Sequence, residues 1–477
     1  MSTLSYDVII VGAGPAGIFC ALELVEKSDL KVLLLDKGPD IEKRRCPASR
    51  GFGCVNCDPC NLLCGWGGAG AFSDGKLTLS TEVGGWLNQY MPNKKDLMEL
   101  LDYVDNVYLR FGAPNHVYGG ETDKVEEIER KASLAGLKLV HQKIRHMGTE
   151  RCAQTLRKMR QELEGKVDIR MKKDVKSLLV KNRIIEGVET VDGERFYGKY
   201  VVVAPGRSGA EWLKMEAQAL GLKTLNNPVD VGVRVEVQAV VMEELTSVLY
   251  EPKFIYYSKS FDDQVRTFCV APYGEVISES YNGVLTVNGQ SYAERKTENT
   301  NFAILVSTSF TEPFKEPIAY GKYLARLSNL LSGGILVQRL GDLVAGRRST
   351  PERIARSLVT PTLKNATPGD LSFVLPYRYL VDIREMLEAL DKIAPGIHSR
   401  DTLLYGVEVK FYSSRLELNN VLETKIRNLF TIGDGAGVTR GLIQASASGV
   451  IVAREILRRE RQKAKVAPQV AEAKTQN

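Results

Sequence analysis

Twenty residues near the start of the chain, Tyr6 to Val25 (YDVIIVGAGPAGIFCALELV), leave few folds open. The apolar run Val8 to Val11 reads as a buried strand. It stops at Gly12-Ala13-Gly14-Pro15-Ala16-Gly17, and an apolar helix follows. Strand, G-x-G-x-x-G turn and helix form the first half of a βαβ unit that holds a dinucleotide. Gly12 permits the tight turn, Gly14 lets the backbone approach a pyrophosphate, and Gly17 lets the helix lie close on the strand. The start of the helix, with Pro15 and Ala16, turns its free N–H groups toward phosphate charge. A second strand, Lys31 to Leu35, ends in Asp36 with Lys37 beside it. An acid at that spacing takes ribose hydroxyls. The competing reading, a glycine turn in some other βαβ unit, does not account for the acid.

A chain of 477 residues has room for two or three domains around such a sheet. The net charge of +6 is mild for this length. It does not point to nucleic acid; it is compatible with an acidic protein partner, but a solvated basic surface is the reading it favours. No apolar run is long enough to span a membrane. The first apolar run follows Asp7 and is already the first strand, so it does not read as a signal peptide. A cytoplasmic protein is expected, and its eight cysteines are then thiols, metal ligands or redox groups.

After Asp36 a charged, glycine-rich segment runs from Lys37 to Gly85, long for a connection inside a domain and therefore of functional interest. The periodicity predicts helices over 94–111, 123–135 and 150–164, with a strand over 137–144. It predicts a strand pair over 167–179 and a hairpin over 183–196 around Asp192-Gly193. Tyr200 to Ala204 is a buried strand ending in Pro205-Gly206-Arg207-Ser208-Gly209. Residues 226–308, rich in Val, Tyr, Phe and Thr, read as largely β. Helices are expected over 320–331 and 381–393, a loop over 345–375, and a strand over 403–411. A short strand, 429–432, ends in Gly433-Asp434-Gly435-Ala436-Gly437, and a small-residue helix follows over 441–458. The charged, alanine-rich tail is expected to be disordered.

Within the long segment, Cys54, Cys57, Cys60 and Cys64 are spaced C-x2-C-x2-C-x3-C. This is the bacterial ferredoxin spacing, in which thiolates two residues apart wrap one [4Fe–4S] cluster and a distant Cys-Pro closes it. Cys46-Pro47 stands just upstream. A cluster would use Cys54, Cys57 and Cys60 with either Cys46 or Cys64. Structural zinc, which also takes four thiolates, and metal-free thiols or a redox disulfide are the alternatives. Cys20, Cys152 and Cys269 read as isolated structural cysteines.

Three separated motifs therefore follow in order: the N-terminal fingerprint, VVVAPGRSG, and TIGDGAGVTRGLIQASASG. This set resembles the FAD-dependent oxidoreductases of the glutathione-reductase-like fold. It is most similar to the bacterial and archaeal FAD-dependent dehydrogenase group that carries GGAGAFSDGK after a cysteine-rich loop. The resemblance implies an α/β protein with a Rossmann-like FAD-binding domain and an inserted, mainly β, α+β substrate domain. The implied layout is 1–212 for the first part of the FAD domain, with its cysteine-rich loop at 44–76. A substrate domain follows over 213–400, the last part of the FAD domain over 401–460, and the tail over 461–477. By the same resemblance Asp434 accepts a ribityl hydroxyl, with Gly433 and Gly435 permitting close approach. The helix start at Gly441, Leu442 and Ile443 directs N–H groups at the flavin pyrimidine ring. Ala204 and Gly206 match the family's Ala-Thr-Gly turn, with Pro205 in its middle. Gly68, Ala69 and Gly70 line the flavin, and Ser73, Asp74 and Lys76 are catalytic candidates near its ring.

The function implied is hydride transfer through flavin N5 to or from a small organic substrate. No second G-x-G-x-x-G follows a strand, so the chain lacks the separate NAD(P) domain of disulfide reductases. It also lacks their C-x4-C pair. Either NAD(P)H binds transiently, or a ferredoxin-like protein feeds electrons through a cluster. A flavin-dependent aromatic hydroxylase and a non-enzymatic redox sensor are the alternatives. Substrate is expected against the substrate domain's sheet, with Arg234, Tyr273, Tyr292, Lys410 and Tyr412 as candidate lining residues and Lys410 also a catalytic candidate. The four histidines, His116, His141, His146 and His398, read as surface or structural residues.

Overall fold

The computed structural model describes the chain except residues 1–4, 48–54, 56, 121, 226–228, 282, 293–294, 309, 311–313, 315, 411–414 and 476–477. The side chains of residues 281 and 465–475 are likewise left aside. The chain divides into two compact units. One comprises Met1–Asn115, Arg145–Leu225 and Ser413–Asn477; the other comprises His116–Ile144 and Asn226–Tyr412. The layout expected from sequence changes units at 212 and 400 and keeps 116–144 in the first. The observed passages fall at 225 and 412, and 116–144 belongs to the second.

The first unit is α/β and Rossmann-like. Its elements are β1 (Ser5–Val11), α1 (Pro15–Lys27), β2 (Val32–Asp36), α2 (Lys94–Arg110), α3 (Thr149–Leu163), β3 (Asp168–Met171), β4 (Val175–Lys181), β5 (Ile184–Thr190), β6 (Arg195–Val203), α4 (Ala210–Ala219), β7 (Leu429–Thr431) and α5 (Leu442–Thr475). Among the described residues seven strands form one sheet, β3–β2–β1–β6–β5–β4, and β7 joins the C-terminal half of β6. Strands β3, β2, β1, β6 and β7 are mutually parallel. Residues 33–35 of β2 and 201–203 of β6 are wholly buried, as unbroken apolar strands between helical layers should be. Small residues set the helix layer. A side chain at Gly449 of α5 would collide with the backbone carbonyl of Ala16, so α1 and α5 lie in close contact.

The tail expected to be disordered from 461 instead continues α5 to Thr475. Its Arg, Gln, Lys and Ala are good helix formers, and they extend a helix already nucleated and packed at 442–458.

In the second unit the strands order as 367–368, 336–339, 403–410, 229–238, 299–308, 264–271, 254–257 and 138–139. Helices Asp123–Leu134, Ala239–Leu249, Pro317–Ser332 and Tyr377–Leu390 belong to this unit. Val229, Val231, Val233, Val235 and Val237, alternate residues of one strand, share a core with apolar side chains of these helices. The intervening residues Asp230, Arg234 and Glu236 are buried and polar. This is the mainly β, α+β unit expected. The helix Ala239–Leu249 falls inside the stretch read as β.

Candidate dinucleotide site

Because β1, β6 and β7 are adjacent and parallel, the three glycine turns that follow them lie side by side at the carboxyl end of the sheet. Open α/β sheets bind ligands at that end. The backbone welds the turns together. Ala204 N–H donates to Val11 O at 2.7 Å, and Ile432 N–H donates to Val203 O at 2.9 Å. A side chain at Gly12 (φ +111°) would collide with Ala204 O, and one at Gly435 would collide with Gly206 O. Gly17 is closed in the same way by Gly12 O. Gly14, Gly206 and Gly441 differ: nothing lies within 4 Å of where a side chain would stand on any of them. The outer surface of each turn is thus bare backbone, the form a pyrophosphate or a flavin chain can approach.

Asp36, expected at a ribose, is an anchor for the chain's own backbone. Its carboxylate accepts N–H bonds from Ala13 at 2.8 Å, Gly38 at 2.7 Å and Gly65 at 2.8 Å. Three of roughly four acceptor positions are occupied by the protein's own backbone. Asp434 accepts from the Thr439 hydroxyl at 2.8 Å and from Gly441 N–H at 3.3 Å. Burial pushes its carboxyl above the ordinary range, against the opposing pull of Arg207 and Thr439. Gly433 N–H is held by Ser448 Oγ at 3.1 Å, and Leu442 and Ile443 open α5.

The segment 65–76 lies against the first turn. Gly67 N–H donates to Ala13 O at 2.7 Å, and the missing side chain of Gly68 would stand 3.1 Å from Gly14 Cα. Ala69 lies in the 3-10 stretch Gly68–Phe72. Gly70 faces Pro15 and Leu442. Ser73 donates to Gly70 O at 2.9 Å, and Asp74 pairs with Lys76 at 3.1 Å. His146, expected at the surface, is instead half-buried beside that pair. Burial, opposed by Asp74 and reinforced by Lys76, lowers its pKa. Cys152 sits under the same loop, and burial pushes its thiol up to about 12. Lys37 acts electrostatically on Cys64.

Sequence reasoning missed three participants. Arg440 lies 4.0 Å from the ring centre of Trp86, in a stretch where Trp86 N–H donates to Val438 O at 2.9 Å. Arg207, on the second turn, acts on Asp434. Arg44 is almost fully buried. An arginine carries no periodic or motif signal that would mark it in a sequence.

The described thiols of the cysteine segment are held by the protein itself. Cys57 Sγ accepts Asn61 N–H at 3.5 Å, the Cys64 thiol donates to Ser208 Oγ at 3.3 Å, and Cys46 is buried. Burial pushes the Cys64 thiol up. Among the described residues no three His, Cys, Asp or Glu side chains converge as metal ligands. Cys54 lies outside the described residues.

In the second unit, Arg234 is corrected from a substrate-lining residue to a core residue. It is wholly buried and bonds Asn301 Oδ1 at 2.8 Å and Cys269 O at 2.7 Å, with Glu408 at 3.4 Å. The residue shares a strand face with buried polar side chains, so its charge is satisfied internally. Lys410 pairs with Glu408 at 2.9 Å. Tyr273 donates to Glu243 at 2.5 Å, and Tyr292 lies under Arg295 at 4.5 Å. Tyr412 falls outside the described residues.

Residues 10–41 match the family model of the NAD(P)-binding Rossmann-like domain, and residues 228–411 match that of the FAD-dependent protein, C-terminal domain-like. A Clostridium beijerinckii protein is 27% identical over 481 residues, covering 94% of this chain and 80% of its own. Among solved structures, formate oxidase aligns over 97% of this chain and all of its own at 11% identity and a TM-score of 0.47. L-proline dehydrogenase from P. horikoshii aligns over 95% and 94% at 12% identity and a TM-score of 0.40. Among the described residues, no helix is long and apolar enough to cross a membrane.

Proposed function

We propose that the chain is an FAD-dependent oxidoreductase of the reductase or dehydrogenase kind, acting on a small organic substrate. The observation that carries this reading is the row of three turns in which Gly14, Gly206 and Gly441 are bare while Gly12, Gly17 and Gly435 are closed by backbone. The match of residues 228–411 to an FAD-dependent family model supports it. Bound there, FAD would supply two-electron hydride chemistry. The chain's own residues do the rest. Gly14 with Ala16 and Gly17 N–H would receive the diphosphate, Asp36 the ribose, and Asp434 the flavin chain. The N-terminus of α5 would place a positive helix end at Gly441–Ile443, favouring negative charge beside it. Asp74, Lys76 and His146 form a titratable group at the end of the glycine segment, and Lys76 is the proton carrier we assign to it.

NAD(P)H is proposed as electron donor, with a ferredoxin-like protein as the alternative. A cytoplasmic setting is proposed with it, the setting in which cysteines stay reduced.

The test is chemical analysis of anaerobically purified protein. Stoichiometric FAD, bleached by NADH or NADPH, with neither iron nor acid-labile sulfide, is the expected result. Protein that takes up no FAD would sink the function. Iron and sulfide in near-equal amounts would restore the cluster and the ferredoxin-like donor.

A further inference from the structure

Among the described residues Arg44 is a charge buried without an ion pair at bonding distance, and such a charge needs an account. It is 6% exposed. Among the described residues its Nε and both terminal nitrogens make five hydrogen bonds, each to a backbone carbonyl. Two go to Asn61, at 3.1 and 3.0 Å, and one to Leu62 at 2.8 Å. One goes to Trp66 and one to Gly68, both at 2.7 Å. The guanidinium carries five N–H donors, so its capacity is filled. Its cationic carbon stands 4.9 Å from the ring centre of Phe72. The negative group that bears on it most is Asp36, the carboxylate that also holds Ala13 and Gly65.

The carbonyls it gathers belong to two segments with different tasks. Asn61 and Leu62 lie among the cysteines. Trp66 and Gly68 belong to the stretch that touches the first glycine turn through Gly67 N–H to Ala13 O and Gly68 against Gly14. Gly67 and Gly68 both have positive φ, at +85° and +55°. Glycines impose nothing on their own conformation, and ordering them when a ligand arrives would weaken binding. One planar fork that fixes both segments removes that cost beforehand.

We infer that Arg44 is the positioning residue of the dinucleotide site, holding the cysteine segment and the glycine segment together so that the first turn is shaped before FAD arrives. The inference rests on the FAD reading given above.

The experiment measures FAD affinity by flavin fluorescence on deflavinated wild type, Arg44→Lys and Arg44→Ala. Lysine keeps the charge but not the fork, so both variants should bind at least about tenfold more weakly. Millimolar guanidinium should partly rescue Arg44→Ala, which a general packing role would not permit. Thiol titration should show Cys57, Cys60 and Cys64 reacting faster in both variants. Hydrogen exchange on FAD-free wild type, which needs no variant to fold, should show the amides of Gly65, Gly67 and Gly68 already protected. Unaltered FAD affinity in Arg44→Lys, or unprotected amides at 65–68 before FAD is added, overturns the inference while leaving the function standing. Wild type that binds no FAD overturns both.

Discussion

Two glycines three residues apart make opposite demands. The backbone of Gly14 is extended, at φ −79°, and nothing lies within 4 Å of its missing side chain. Gly17 is closed by Gly12 O, with Ile10 Cγ2 at 3.2 Å. Gly14→Ala should therefore change the stability of the FAD-free protein by less than about 0.5 kcal/mol, yet weaken FAD binding, because its methyl group stands where a pyrophosphate must come. Gly17→Ala should cost about 1–3 kcal/mol by overpacking, with or without FAD. Thermal melts of the two apo variants, read beside FAD titrations, check this. Equal losses of stability would remove the distinction between binding and packing glycines. Both roles are legible in the sequence, because each follows from spacing along a known turn. The use of Asp36 as a three-way backbone anchor is not legible, since it depends on Gly65, which lies 29 residues away. Arg234 misled for a related reason. An arginine on a strand reads as a ligand until its partners Asn301 and Glu408 are seen to come from other strands.

Helices were legible where an apolar stripe recurs at helical period. That rule predicts 94–111 and 150–164, and the helices run Lys94–Arg110 and Thr149–Leu163. It fails at Ala239–Leu249, where Val240, Val241 and Val248 favour a strand and packing against the sheet overrides them. The helix Tyr377–Leu390 shows another limit, because its inner face carries Asp382. That carboxyl is wholly buried, and neither oxygen has a well-formed hydrogen bond. Burial, with Asp263 alongside, pushes its pKa from 3.8 up to about 6, while Ser258 and Arg378 pull the other way. Asp263 is held below its ordinary range by Arg378. The sign follows from proton binding. The folded state keeps the Asp382 proton after the unfolded state has lost it, so this group's contribution is full below 3.8 and is lost as pH rises toward about 6. Asp382→Asn should flatten the fall in stability over that interval and raise stability at neutral pH by about 1–3 kcal/mol. Urea unfolding of both proteins across that pH interval measures the slope, and identical slopes would show that Asp382 does not titrate there.

At the scale of the whole chain, nothing in composition announces that residues 116–144 leave the first unit. The stretch has ordinary helix and strand periodicity, and only its partners reveal where it belongs. Val125, Ile128, Ala132, Ala135, Leu137 and Leu139 are buried in the core of the second unit. Strand Lys138–Leu139 pairs with Phe254–Ile255 at the edge of that unit's sheet. The matched segment, 228–411, contains none of this. Removing 116–144 would expose a sheet edge and several large apolar side chains, each worth about 1.5–3 kcal/mol when fully buried. Such a loss rivals the total stability of a domain, about 5–15 kcal/mol. A fragment of residues 226–412 should therefore lack a cooperative urea transition and bind hydrophobic dyes. Joining 116–144 ahead of it through a flexible linker should restore a cooperative transition and abolish dye binding. If 226–412 unfolds cooperatively alone, at the midpoint of the joined form, then 116–144 decorates the second unit and does not complete it.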